Sequence, residues 1–189
     1  MSFKTVSPFE VSENFFDAIG RQWMLITAAK PDGSANSMTA AWGGVGFIWQ
    51  QPAAFIFIRP QRCTKTFVEA SSTFSLSFFD SAYRDALTFM GNVSGYDDAQ
   101  KIAHSGLELA FYETEVEQDP PLGAARVEKT PYFSEARLVL IGERWYQQDM
   151  QKDCFLDKAQ LEQWYGQAGD ENDLHTLFIA KIKQVLVNV

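Results

Sequence analysis

The chain has 189 residues, 46% of them hydrophobic, enough for one sizeable core and too few for two, so a single domain over 1–189 is expected. Its net charge of -8, with no basic tract, argues against nucleic acid as a partner, because a phosphate backbone demands a cationic face; any anionic ligand has to be held locally. The opening "MSFKTVSPFE" has no basic segment leading into an apolar run, and nothing approaches the ~20 apolar residues that cross a bilayer, which predicts a soluble, cytoplasmic protein with no membrane attachment.

In chain order, Ser12 is placed to cap a helix through "ENFFDAIG", and "QWMLITAA" reads as a strand followed by the turn "PDG" and a hairpin partner in "NSMTAAW". That partner is small, polar and glycine-flanked where a returning strand ordinarily alternates bulky side chains, which suggests that something lies close against its backbone. "GGVGFIW" is not a dinucleotide fingerprint, because Trp49 stands where a third glycine is required and no helical pattern follows. "AAFIFIR" is a buried-strand run, "TKTFVEASS" a short helix, and "TFSLSFF" alternates Phe74, Leu76 and Phe78 against Ser75 and Ser77. Asp80 or Ser81 is positioned to cap "AYRDALTFMG", and "YDDAQKIAHSG" has helical spacing ending at Gly106. The acidic "YETEVEQDPPLG" signals a loop or an edge, since Pro120 and Pro121 cannot lie in a central strand. "EARLVLIGERWYQ" and "HTLFIAKIKQVLV" are strands, with the helix "DKAQLEQWYG" between them. Many strands joined by hairpins and one or two helical crossovers predict a mainly β fold with short helices, an antiparallel barrel whose closure removes exposed edges.

Chemistry concentrates in one further stretch, "RPQRCTK". Arg62 and Lys65 stand at the start of a short helix, where the macrodipole disfavours cations unless an anion is present; Thr64 and the first helix amides add donors for a phosphate. The alternative is a solvated basic turn with Thr64 as a plain N-cap. Cys63 and Cys154, and His104 and His175, are isolated in sequence, so neither a disulfide framework nor a metal site is expected. Nucleophile-elbow, zinc and P-loop signatures are absent, which leaves hydrolase and kinase readings unsupported and no catalytic residue assigned.

Taken in order, "NSMTAAWGG", a buried strand, "RPQRCTKTF" and "FSLSFF" resemble the flavin reductase-like FMN-binding split-barrel family, including its flavoredoxin branch. The resemblance runs from about Met24 to Asp80 and continues through "NVSG" with Lys101 and the C-terminal "DLHTLFIAKIKQVLV". It implies a split β-barrel with FMN as cofactor. Asn36, Ser37, Met38, Thr39, Ala40, Ala41 and Trp42 would lie along the ring, Trp42 being equally readable as a core or interface residue. Arg59, Gln61, Arg62, Thr64 and Lys65 would take the phosphate and ribityl end, with Phe79 and Asp80 near the site by position. Small residues such as Ala40, Ala41 and Gly43 would let a flat isoalloxazine approach the backbone. His175 would face the flavin or be structural. The chain departs from the family's pattern at Ala41, where a serine is common, and at Tyr96, where an arginine is common, and the second departure bears on partner choice. The implied function is an NAD(P)H:flavin oxidoreductase or flavoredoxin-type electron carrier, homodimeric, served by transient NAD(P)H or a protein donor; the alternative is a noncatalytic protein that stores or senses FMN.

Overall fold

The computed structural model describes residues 2–116, 126–166 and 173–189. Ten strands alternate with short helices: β1 (Phe3–Val6), α1 (Phe15–Asp17), β2 (Met24–Ala29), β3 (Ala35–Ala40), β4 (Gly43–Ile48), β5 (Gln51–Ile58), α2 (Cys63–Ala70), β6 (Thr73–Phe78), α3 (Arg84–Asn92), α4 (Lys101–His104), β7 (Leu109–Val116), β8 (Arg126–Phe133), β9 (Leu138–Asp149), α5 (Lys158–Tyr165) and β10 (Thr176–Asn188). The main antiparallel sheet runs β3-β2-β6-β9-β10-β5-β4, with β1 added along the far end of β10, and β7 with β8 forms a separate ribbon.

The expected closure does not occur among the described residues. The edges β3 and β4 are consecutive in the chain and are joined by Ala41 and Trp42, yet no ladder links them. Gly43 begins β4 at φ +153°, and a Cβ there would come 2.6 Å from the Phe55 carbonyl oxygen, so the strand leaves the junction along a path that only glycine allows. The gap at this junction becomes a cavity. "GGVGFI", glycine-rich and without alternation, is the strand that follows the junction, and the turn after it holds Trp49 and Gln50 at φ 50° and 59° with Trp49 resting against Trp145 and Tyr146.

One apolar cluster, including Met24, Ile26, Ile56, Phe74, Leu76, Phe78 and Phe178, packs on one side of the sheet. A second, including Leu25, Leu87, Met90, Phe133 and Ile141, lies between the sheet, α3 and the β7–β8 ribbon. Strand β6 is therefore buried on both faces, and its serines are not the solvent side of an alternating strand: Ser75 Oγ donates to the Pro131 carbonyl at 2.6 Å. Small residues are used there because β8 crosses close above them. The predicted helix from Ser12 is instead one α-turn capped by Asn14, running into a π-turn over Ala18–Gln22 that ends at Trp23 with φ +73°. The first part of the acidic stretch forms β7, while Pro120 and Pro121 lie outside the described residues.

Candidate functional site

The cavity at the β3–β4 junction has a volume of about 310 Å³ and is bounded by Met38 to Trp42 on one side and by Phe57, Arg59, Gln61, Arg62 and His175 on the other. Its position follows from the topology. Register Thr176↔Ile58 between β10 and β5 brings His175 and Arg59 side by side, and the two-residue β3–β4 connection faces them with Ala41 and Trp42. Alanine at 40 and 41 keeps that wall thin.

Of the residues singled out in the sequence, Met38, Thr39, Ala40, Ala41, Trp42, Arg59, Gln61 and Arg62 come together around the cavity. Thr39 Oγ1 donates to the Leu87 carbonyl at 2.5 Å, which ties the edge strand to α3. Asn36 and Thr64 sit behind this wall, with Asn36 Nδ2 donating to Thr64 Oγ1 at 3.0 Å. Gly95 packs on the same amide so tightly that a Cβ would come 2.7 Å from Asn36 Oδ1. Ser37 turns the other way, into a buried hydroxyl pair with Thr27 at 2.9 Å. Lys65 pairs with Glu69 at 2.5 Å. Phe79 is buried in the second apolar cluster between Tyr83 and Phe133, and Asp80 lies 3.8 Å from Arg137, so neither lines this cavity. Tyr96 is exposed.

Helix α2 begins with Arg62 at its N-cap, which supplies no side-chain acceptor, and Thr64 lies inside the first turn rather than capping it. Arg62 Nη2 donates to the Gly91 carbonyl at 2.9 Å, and no described carboxylate pairs with it. Burial first, and then the nearby Arg59, lower its pKa. Lys101 reaches the same region from α4. It is only 2% exposed, and its Nζ donates to the carbonyls of Met90 at 2.9 Å and Val93 at 2.6 Å, closing the C-terminal end of α3. Burial, reinforced by the Arg62 charge, lowers its pKa to about 8. The Arg62 charge acts on Lys101 against the weaker opposing influence of Cys63 and Asp98, the latter already paired with His104, and neither cation makes an ion pair with a described carboxylate, which favours an anion beside them. Lys101 carries no local motif that marks it as part of a site; only its position after "NVSG" does.

The rim opposite is aromatic. Trp42 meets Trp164 edge-on at 5.0 Å and His175 at 5.0 Å; His175 Nδ1 lies 2.8 Å from the Tyr165 hydroxyl. Burial pushes the His175 pKa down to about 4, so the ring is neutral at physiological pH. Arg59 is held by Asp173, and its Nη2 donates to the Trp164 carbonyl at 3.0 Å. Trp164 and Tyr165 were not foreseeable, lying more than a hundred residues from Arg59 without a motif, and Asp173, which opens "DLHTLFIAKIKQVLV", was not singled out there. Among the described residues no group of three or more His, Cys, Asp or Glu is arranged to hold a metal, and no helix is long and apolar enough to cross a membrane.

No protein-family model matches the sequence, and no curated protein matches it. Solved structures do match in fold. An FMN-binding domain of a flavin reductases-like enzyme from Shewanella baltica superposes with a TM-score of 0.62 at 17% identity, covering 98% of this chain and 77% of that one. Flavoredoxin from Methanosarcina acetivorans gives 0.63 at 15%, covering 88% and 68%, and flavoredoxin from Desulfovibrio vulgaris (Miyazaki F) gives 0.58 at 22%, covering 88% and 69%. The fold is that of the split-barrel flavoproteins.

Proposed function

We propose that this chain binds FMN at the β3–β4 cavity and works as a flavoprotein oxidoreductase, of flavin reductase or flavoredoxin type. The observation that carries the reading is half-buried Arg62 on the cavity lining, with buried Lys101 close by and neither ion-paired to a described carboxylate, beside a wall thinned to Ala40 and Ala41. A phosphomonoester supplies the missing negative charge, and the uncapped start of α2 adds backbone donors for it. The residues present fit such a group: Arg62, Lys101 and the first amides of α2 at the phosphate end, Met38 to Trp42 along the ring, and His175 and Trp42 at the aromatic rim. When bound, the flavin supplies hydride and electron transfer, which none of this chain's own side chains is arranged to perform. The protein's share is positioning, exclusion of water and a neutral imidazole held by Tyr165.

The deciding experiment is anaerobic addition of NADH or NADPH to the FMN-loaded protein. Bleaching of the flavin bands is expected with at least one of them. No bleaching with either removes the reductase reading and leaves a carrier fed by a protein donor, or a store.

We also infer a homodimer. Strand β4 pairs only with β5 among the described strands and carries no charged side chain, and Phe47 on it is 62% exposed beside the 77% exposed Phe9. An uncharged, apolar edge of this kind invites strand addition. Sedimentation at micromolar concentration is expected to give a dimer, and Phe47→Lys a monomer; a wild-type monomer that retains flavin contradicts this.

A further inference from the structure

From Met150 to Gly166 no residue is buried. This stretch crosses the end of the sheet as a 3-10 turn, Lys152–Cys154, and then α5, capped at its start by Asp157, whose carboxylate accepts from the Ala159 amide at 3.0 Å. An apolar face that packs on the sheet is missing. A gap of about 250 Å³ instead separates Cys154 and Phe155 from Gln148 and Leu177. An element with so little buried surface belongs at the low end of local stability and needs specific anchors to keep its place.

Those anchors are concentrated at one end. Among the described residues, the polar and aromatic contacts of α5 with the ends of the sheet fall on Trp42, Arg59, His175 and Met150, whose sulfur accepts from the Tyr165 hydroxyl at 3.9 Å. Trp164 meets Trp42, the Trp164 carbonyl accepts from Arg59, the Tyr165 ring lies 5.3 Å from the Arg59 guanidinium, and the Tyr165 hydroxyl bonds His175. Trp42, Arg59 and His175 all line the candidate cavity. Asp173 fixes Arg59 from the other side, and its carboxylate is 6% exposed. The arginine that would otherwise be counted among phosphate donors is thus already engaged, whereas Arg62 makes no ion pair with a described carboxylate.

We propose that α5 is a flap over the cavity and that Arg59, fixed by Asp173, is the latch that holds it, so that flap opening governs how fast a ligand enters and leaves. Flap and cavity share their contact residues, so the flap cannot lift without loosening Trp42 and His175, and a ligand that moves those rings disturbs the flap. Arg59 is on this account a positioning residue that acts through α5, and its loss affects ligands with and without a phosphate alike.

The gating half rests on the flavin reading, and the test separates the two. Hydrogen exchange on the ligand-free protein is measured for wild type, Arg59→Met, Asp173→Asn and Trp164→Ala. Each variant is expected to speed exchange across Lys158–Tyr165 by about tenfold or more while the β9–β10 amides stay protected, the loss of one charge-assisted contact, or for Trp164→Ala of the edge-on contact with Trp42, being enough for that change. Stopped-flow dissociation then follows FMN and riboflavin, and the three variants are expected to release both faster by the same factor. Unchanged exchange in α5 overturns the latch, as does an Arg59→Met protein that loses FMN and keeps riboflavin, since that is the signature of a phosphate ligand. Should wild type bind neither flavin while α5 still responds to all three substitutions, the flavin reading fails and the latch stands.

Discussion

Arg62→Ala is expected to weaken FMN binding by about ten- to a hundredfold and to leave riboflavin affinity nearly unchanged. The two ligands share ring and ribityl chain and differ only in the phosphate, so the ratio of losses isolates that group. Arg62 spends one bond on the Gly91 carbonyl and has no described carboxylate partner, which leaves the remaining donors of its fork for an anion at the start of α2. Its lowered pKa says the same thing energetically: the charge is desolvated and undercompensated in the ligand-free chain. Ala41→Leu is the comparator. A larger side chain on the β3–β4 wall occupies space that either flavin needs, so both affinities fall together. Fluorescence titration of the two variants with the two ligands gives a four-number answer, and equal losses for FMN and riboflavin in Arg62→Ala would take Arg62 out of the phosphate site.

What the sequence made legible was whatever is written locally. The β2–β3 hairpin, β5, α2 and β6 follow from a turn, an apolar run or an alternation a few residues long, and of the oddly composed stretch Asn36 to Trp42 it is Met38 to Trp42 that line the cavity. Strand β4 was illegible because three glycines in "GGVGFI" erase the alternation that identifies a strand. Ser75 and Ser77 look like a solvent face and are a buried one, since nothing within β6 reports that β8 lies over it. The same limit applies to the site. "RPQRCTK" revealed a cationic turn, but not that Arg59 and Arg62 have different partners, one tied to Asp173 and Trp164 and the other to Gly91. Lys101 was marked only by its place after "NVSG", and nothing near it in the sequence shows that it is buried. Its burial is set by where α3 ends, and that depends on how Gly91 and Gly95 pack against β3, with Cβ positions 3.2 Å from Thr39 and 2.7 Å from Asn36.

Lys101 is also where the ligand-free fold and the ligand are expected to respond to pH in opposite directions. In the folded chain its pKa is about 8, against 10.5 when unburied, because burial and the Arg62 charge disfavour the ammonium. Between those two values the unfolded chain holds more protons than the folded one, so the stability of the ligand-free protein rises with pH across that window, by up to about 3 kcal/mol. Urea denaturation at pH 7.5 and pH 10 reads this directly, and Lys101→Met is expected to flatten it. Binding runs the other way. A phosphomonoester, whose second pKa is about 6, is already a dianion at neutral pH, so its own charge stays constant as the buffer becomes alkaline while Lys101 loses its proton. Burial pushes the thiol of the neighbouring Cys63 up, with the Lys30 and Lys101 charges acting the other way. FMN affinity should therefore hold up to about pH 8 and then fall by as much as about tenfold per unit, with riboflavin following a flat line. Lys101→Arg supplies the control, since a guanidinium keeps its charge throughout and should hold FMN affinity level. A wild-type FMN profile that stays level from pH 7 to pH 9.5, or one that falls equally for riboflavin, would place Lys101 away from the anion and leave its ammonium with a purely structural task at the end of α3.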